Sequence, residues 1–417
     1  MSDREHLQLG RREFVRDLAY TALLWRASRV DGWSIGRTFT RPVAFASTDR
    51  AYHIVVIGDS IAWGQGLEER SKYPELVRAA IEKRLGGQPA VTWSFAHSGA
   101  VIRPDTTQDA KPPLPGEVPN SHPSITAQVE HARSYLAQHP ITDAAHAAPV
   151  YPENVALVIM DGGINDVGIT SILTMDPTIS DPEGWVRKLA RERCVERMRT
   201  LLPHVLGVFP NATVVVSGYY AIVSEATRLG DLDAFLLHLG IIGKLPEFVV
   251  TEAVRRKLAR QSSAFYDETV RGLRDVVANA HALVKVGTPV SAPGSRLPDA
   301  IVPAAGKGAS PSPPRAHFVD FGLTAEQSFG APSAMLWGVP ASDPLAGQRR
   351  QDCKVLGAGV DFLKCLDASM GHPNTAGAQM FAGRVLSRLE CDGAIAPVPG
   401  SGPGRIGALR EICALIR

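Results

Sequence analysis

Four short apolar runs constrain this chain more than any other feature. Residues 52–57, 91–96, 155–160 and 212–217 are rich in β-branched side chains. The runs 52–57 and 155–160, apolar at almost every position rather than at alternate ones, read as strands buried on both faces. Between the four runs lie segments with helical spacing. Residues 72–85 set Leu76, Val77, Ala80, Ile81 and Leu85 on one face. Residues 124–138, with Ser124 as N-cap, and residues 183–206 read as helices as well. A fifth strand is expected over 316–321 and a last helix over 374–389. Strand and helix in alternation imply an α/β fold, a parallel sheet with helices on both faces.

The strand–helix pattern spans 51–392 and is interrupted twice. Residues 226–282 read as two or three helices, a helical insertion that is unusually apolar around 235–243 and 248–250. Residues 287–314 are rich in Pro, Ala, Gly and Ser and read as a long loop. Residues 1–50 read as a helical extension with a linker, and 393–417 as a C-terminal tail. No internal repeat is visible.

Charge and cysteine content narrow the function classes. The 44 basic and 42 acidic residues leave a net charge of +2. With no long basic run, nothing points to nucleic acid. No stretch reaches the roughly 18 continuous apolar residues of a membrane span, so no transmembrane segment is expected. The five cysteines, Cys194, Cys353, Cys365, Cys391 and Cys413, form no Cys-x-x-Cys pair and no zinc-type spacing. Their odd number reads as free thiols in a reducing, cytoplasmic compartment, although Cys353 and Cys365 are close enough in sequence to pair in an oxidising one. Arg11-Arg12-Glu13-Phe14-Val15-Arg16 resembles a twin-arginine export signal. The apolar run behind it, from Leu18 to Trp25, is short and bracketed by Asp17 and Arg26; the other reading is a basic amphipathic helix packed on the domain. Oligomeric state leaves no signal.

Four clusters carry chemistry. Gly58-Asp59-Ser60 follows the first strand, where a tight turn presents a hydroxyl at the carboxyl edge of a parallel sheet, the edge at which open α/β sheets bind ligands. Ser98-Gly99-Ala100 follows the second strand, and a glycine there leaves its backbone N–H open to a ligand. Gly162-Gly163-Ile164-Asn165-Asp166 follows the third, where Asn165 offers an amide donor. Gly371-His372-Pro373-Asn374 precedes the last helix and offers the base that a serine hydroxyl needs. Taken singly, each cluster is also an ordinary turn; taken together, three end consecutive strands and the fourth supplies a base.

With these residues in this order, the sequence resembles the SGNH hydrolase superfamily, also called GDSL esterases and lipases, over about 50–225 and 315–390. The four motif residues of that family map onto Ser60, Gly99, Asn165 and His372. The resemblance implies a flavodoxin-like three-layer α/β/α sandwich with a parallel five-stranded sheet. It implies Ser60 as nucleophile, His372 as general base, and an oxyanion hole from the Ser60 N–H, the Gly99 N–H and the Asn165 side chain. It calls for no metal or organic cofactor, and its substrate would be a small-molecule, lipid or carbohydrate ester. One departure stands out. The family usually has an Asp three residues before the histidine, and here that position is Ser369. Three readings are open: Asp367 orients the ring through a looser turn, a backbone carbonyl near Ser369 does so as in dyad members of the family, or the site is impaired.

Rival functions share parts of this pattern. The glycine-rich stretch 58–66 suggests a nucleotide module, but it fits neither dinucleotide spacing nor a Walker A loop and has no lysine. A non-catalytic binding member of the same fold would keep the turns without the chemistry. An acyltransferase would use the same acyl-enzyme. The helical insertion reads either as a lid or acyl pocket, or as a subdomain burying its own core.

Overall fold

The computed structural model describes residues 51–138, 141–142, 147–148, 150–242, 250–286, 315–356 and 360–395. The extension expected over 1–50, the loop expected over 287–314 and the tail beyond 395 lie outside the described residues, as does the stretch 243–249.

Five strands, β1 (Tyr52–Ile57), β2 (Ala90–Ser94), β3 (Val155–Met160), β4 (Thr213–Ser217) and β5 (Ala316–Val319), form one sheet in the order β2-β1-β3-β4-β5. Every neighbouring pair is parallel. This is the flavodoxin-like doubly wound order, in which the chain reverses its direction of progress between β1 and β3. The expected α/β architecture is therefore present, with strand ends within two residues of those read from the sequence. Ile54, Val55, Val56 and Ile57 of β1 are fully buried, which accounts for a run with no polar alternation.

The helices that cover the sheet and build its edge are α1 (Ser60–Trp63), α2 (Tyr73–Arg84), α3 (Ile125–Gln138), α4 (Ile164–Val167), α5 (Pro182–Ala190), α6 (Glu196–Val208), α7 (Leu229–His238), α8 (Glu252–Val286), α9 (Ala346–Leu356), α10 (Val360–Ala368) and α11 (Thr375–Cys391). On one face α2 packs against α11; on the other, α6 contacts both α3 and α8. Ser124 caps α3 as expected, its hydroxyl accepting from the Ala127 N–H. The helix read over 183–206 is two helices joined by a π turn over Arg191–Val195. The apolar segment 226–282 contains α7 and most of α8. The 35-residue α8 packs along α5, α6 and β5 as part of that face's helical layer, whereas α7 reaches the sheet edge.

The sequence gives no clear sign of α9 and α10, because α9 is strongly polar. A disulfide between Cys353 and Cys365 joins them, with Cα atoms 5.7 Å apart. This corrects the free-thiol reading: the two helices bring both cysteines into disulfide range. Cys391 is disulfide-bonded too, and Cys194 is the free cysteine among the described residues. Among those residues no helix is long and apolar enough to cross a membrane.

Candidate active site

The turn after β1 is built around Ser60. Gly58 has φ +144°, and a Cβ there would lie 2.0 Å from Asp161 Oδ1, so the position needs glycine. Its peptide is clamped by the buried amide of Gln128 on α3. The Gly58 N–H donates to Oε1 at 2.7 Å, and Nε2 donates to the Gly58 carbonyl at 3.0 Å. Asp59 caps α1, accepting from the Ile61 N–H at 3.0 Å. Its other oxygen accepts from the Tyr219 hydroxyl at 2.7 Å. The Asp59 N–H in turn donates to Asp161 Oδ1 at 2.7 Å. Burial raises the pKa of both carboxyls; the charge of Asp166 adds to the rise at Asp59 and the charge of Asp59 adds to the rise at Asp161, while the hydrogen bonds from Ile61 and Tyr219 favour the ionised form of Asp59. Two adjacent carboxyls in a dry interior do not both ionise, and Asp161, raised further, is the one that favours its protonated form.

His372 meets this turn. Its Nε2 lies 2.7 Å from Ser60 Oγ, across 312 residues of sequence, in hydrogen-bond contact of the kind a nucleophile–base pair needs. The His372 turn is held by its own N–H on the Ser369 carbonyl at 2.9 Å and by the Trp337 N–H on the His372 carbonyl at 2.8 Å. Asn374 then caps α11 through the Gly377 N–H. One edge of the ring stays open to a cavity, but the protein around it lowers its pKa to about 4 by desolvation. The carbonyls of Met370, Ser369 and Ala368, in that order, oppose the shift. None of the three meets hydrogen-bond geometry at Nδ1, which has no partner among the described residues.

Asp367 is not joined to this ring. It sits one residue before the end of α10, and the charges that act on its carboxyl are those of His238 and Arg349. Ser369, where the family's Asp would stand, donates its hydroxyl to the Leu366 carbonyl at 3.0 Å.

The donors expected for an oxyanion converge on the same cavity, which Ser60, Gly99, Asn165 and His372 all line. The Ser98 carbonyl accepts from the Asn120 N–H at 2.8 Å and lies 2.8 Å from His97 Nδ1, which donates to it in the Nδ1–H tautomer. A trans peptide is planar, with C=O and N–H on opposite sides, so these two bonds turn the Gly99 N–H the other way. Gly99 has φ +81°, and a Cβ there would meet the Asn120 nitrogen at 2.6 Å. The Ser60 and Gly99 N–H groups have no hydrogen-bond partner among the described residues. Asn165 uses one amide hydrogen on the Ala100 carbonyl at 3.0 Å, which orients the group and leaves its second hydrogen free. Asp166, beside it, is structural: it accepts from the Ile102 N–H at 2.9 Å and pairs with Arg197.

The cavity measures about 280 Å³ and is walled mainly by apolar side chains, among them Ile61, Ile164, Ile169, Ile222, Phe235 and Met370. Phe235 comes from α7, so the apolar segment noted in the sequence does contribute to the site. Among the described residues no group of three or more His, Cys, Asp or Glu side chains is placed to hold a metal.

Sequence reasoning missed Asp161, Gln128, Tyr219 and His97. A carboxylate directly after a wholly apolar strand was a visible signal for Asp161. The other three act through contacts that no local pattern announces.

No protein-family model and no curated protein matches the sequence. Among solved structures, the chain is similar to an extracellular lipase from Streptomyces rimosus, with 13% identity, 81% of this chain and 99% of that chain covered, and a TM-score of 0.43. It is similar to phospholipase A1 from Streptomyces albidoflavus NA297, with 15% identity, 81% and 100% coverage, and a TM-score of 0.41. It is also similar to a carbohydrate esterase family 2 enzyme from Corynascus thermopiles, with 16% identity, 84% and 70% coverage, and a TM-score of 0.37.

Proposed function

We propose that this chain is a serine ester hydrolase of the SGNH type, with Ser60 as nucleophile and His372 as general base. The observation that carries this reading is the 2.7 Å contact between Ser60 Oγ and His372 Nε2. It lies at the carboxyl edge of β1, beside the switch point where such sheets bind ligands. His372 takes the hydroxyl proton as Ser60 attacks an ester carbonyl. The Ser60 N–H, the Gly99 N–H and the free Asn165 amide hydrogen stabilise the oxyanion. His372 then passes its proton to the leaving alcohol, and water completes the cycle through the same base.

In this reading the site works as a dyad. The Met370, Ser369 and Ala368 carbonyls near the ring favour its protonated form in place of a carboxylate, and Asp161 and Tyr219 hold Asp59 and so the nucleophile turn. The apolar cavity takes the substrate's hydrocarbon part. At about 30 Å³ for each water-sized unit, its 280 Å³ suits a short to medium acyl chain. The Cys353–Cys365 disulfide supports work in an oxidising compartment, which favours export over the cytoplasmic alternative.

The test is hydrolysis of p-nitrophenyl esters from acetate to decanoate by the wild type and by Ser60→Ala. The reading expects activity that vanishes in the variant and peaks at short to medium chains. Equal rates for the two proteins would overturn it.

A further inference from the structure

The cavity wall contains two ionisable side chains that this chemistry leaves idle. His238, the last residue of α7, and Asp367 of α10 both line it. They are close enough to act on each other's charge. Neither forms a side-chain hydrogen bond or ion pair with a described residue. Of the other ionisable groups in the lining, His372 is engaged by Ser60, and the Tyr220 hydroxyl donates to the Gly371 carbonyl at 2.9 Å. Behind Asp367 stands Arg349, buried, with Nη1 on the Gly338 carbonyl at 2.9 Å. Burial raises the Asp367 pKa, and the charges of His238 and Arg349 oppose that rise.

Their position indicates which part of an ester they meet. The leaving oxygen must collect its proton from His372, so the alcohol lies on the His372 side of Ser60, away from the Gly99 and Asn165 donors. The wall on that side runs back along the chain from His372 to Asp367. The end of α7 is laid against it: a Cβ at Gly371 would stand 3.5 Å from the Phe235 ring. Burial favours the neutral form of His238 and of Asp367 alike. A neutral imidazole can give or take a hydrogen bond; a carboxyl accepts and, when protonated, also donates. A hydroxyl, donor and acceptor in one, can satisfy both at once.

Resting on the ester-hydrolase reading, we propose that His238 and Asp367 form a recognition pair for a further hydroxyl on the leaving alcohol. The preferred substrates are then acyl esters of polyols, glycerol or a sugar, rather than of simple alcohols. When an alcohol without that hydroxyl closes the cavity, both groups lose water and gain nothing in return.

The experiment measures kcat/KM of the full chain on three esters of one acid: glyceryl 1-monobutyrate, glucose 6-butyrate and ethyl butyrate. The proposal expects at least one polyol ester to exceed ethyl butyrate by about ten- to a hundredfold, and the better of the two identifies glycerol or sugar as the source. In Asp367→Asn, Asp367→Ala and His238→Leu the polyol-to-ethyl ratio should fall about tenfold or more. Because both rates scale with the folded fraction, the ratio is unaffected by partial misfolding. A wild type that cleaves all three equally overturns this inference alone. Variants that slow all three equally overturn it too and return Asp367 to a role at His372. If the wild type cleaves none and matches Ser60→Ala, the inference falls together with the hydrolase reading.

Discussion

Replacing His97 by alanine removes one of the two donors on the Ser98 carbonyl and leaves the Asn120 N–H, at 2.8 Å, as the other. That carbonyl and the Gly99 N–H belong to one rigid peptide unit, so loosening the first tilts the second away from the developing oxyanion. A single intramolecular hydrogen bond is worth about 0.5–1.5 kcal/mol net, which corresponds to about 2- to 13-fold in rate. The ceiling is the loss of a whole oxyanion donor, about 10²–10³-fold; with Asn120 still in place the effect should stay well below it. The loss should fall on kcat with KM little changed, because the oxyanion exists only in the transition state. Two further variants sharpen the assay on p-nitrophenyl butyrate. The amide of His97→Asn can reach where Nδ1 stood and should recover much of kcat. His97→Gln reaches where Nε2 stood, 3.0 Å from the Leu114 carbonyl, and should not. A His97→Ala enzyme with full kcat, or a deficit confined to KM, would refute the idea that this ring aims the Gly99 N–H.

Other outcomes follow from the same geometry. Asn165→Ala should lose about 2.7–4 kcal/mol of transition-state stabilisation in steady-state kinetics; a near-wild-type rate would remove Asn165 from the oxyanion site. His372 must be neutral to accept a proton, and with its pKa lowered to about 4 from 6.5 it is neutral above that value. A kcat/KM profile should therefore rise with pH through about 4 and be level by 6.5, whereas a limb centred near 6.5 would mean that the imidazole is not desolvated. Gly58→Ala should destabilise the fold by about 2–4 kcal/mol in denaturant unfolding, since it combines a positive φ with the Asp161 clash; unchanged stability would contradict the turn geometry. Thiol titration of the native protein should leave Cys194 unreactive until unfolding, because it is buried and its pKa is raised by desolvation, and should find Cys353 and Cys365 blocked until reduction.

The sheet was legible because its central strands are buried on both faces, and an unbroken apolar run such as Val155–Met160 leaves few other options. The candidate nucleophile, amide donor and base were legible for a related reason. Ser60, Gly99 and Asn165 follow strands directly, and His372 precedes a helix capped by Asn374. The supporting shell was not. Gln128 and Tyr219 lie 70 and 160 residues from the atoms they hold, and nothing in α3 or after β4 distinguishes them from core polar residues. Asp367 shows the opposite limit. It is the carboxylate nearest to His372 in sequence, yet the Nδ1 of that ring has no hydrogen-bond partner among the described residues. The α9–α10 pair was missed because α9 is strongly polar and is joined to α10 by a disulfide that cysteine spacing alone does not announce.

The central claim is that Ser60 is an activated nucleophile, and covalent labelling tests it most directly. A fluorophosphonate probe loses fluoride to an attacking serine oxygen and leaves a stable phosphonyl ester, which peptide mass spectrometry can locate. The wild type should be labelled stoichiometrically at Ser60, Ser60→Ala should carry no label at that site, and His372→Ala should be labelled far more slowly. A folded wild type that remains unlabelled, or labelling at another serine that persists in Ser60→Ala, would contradict the claim.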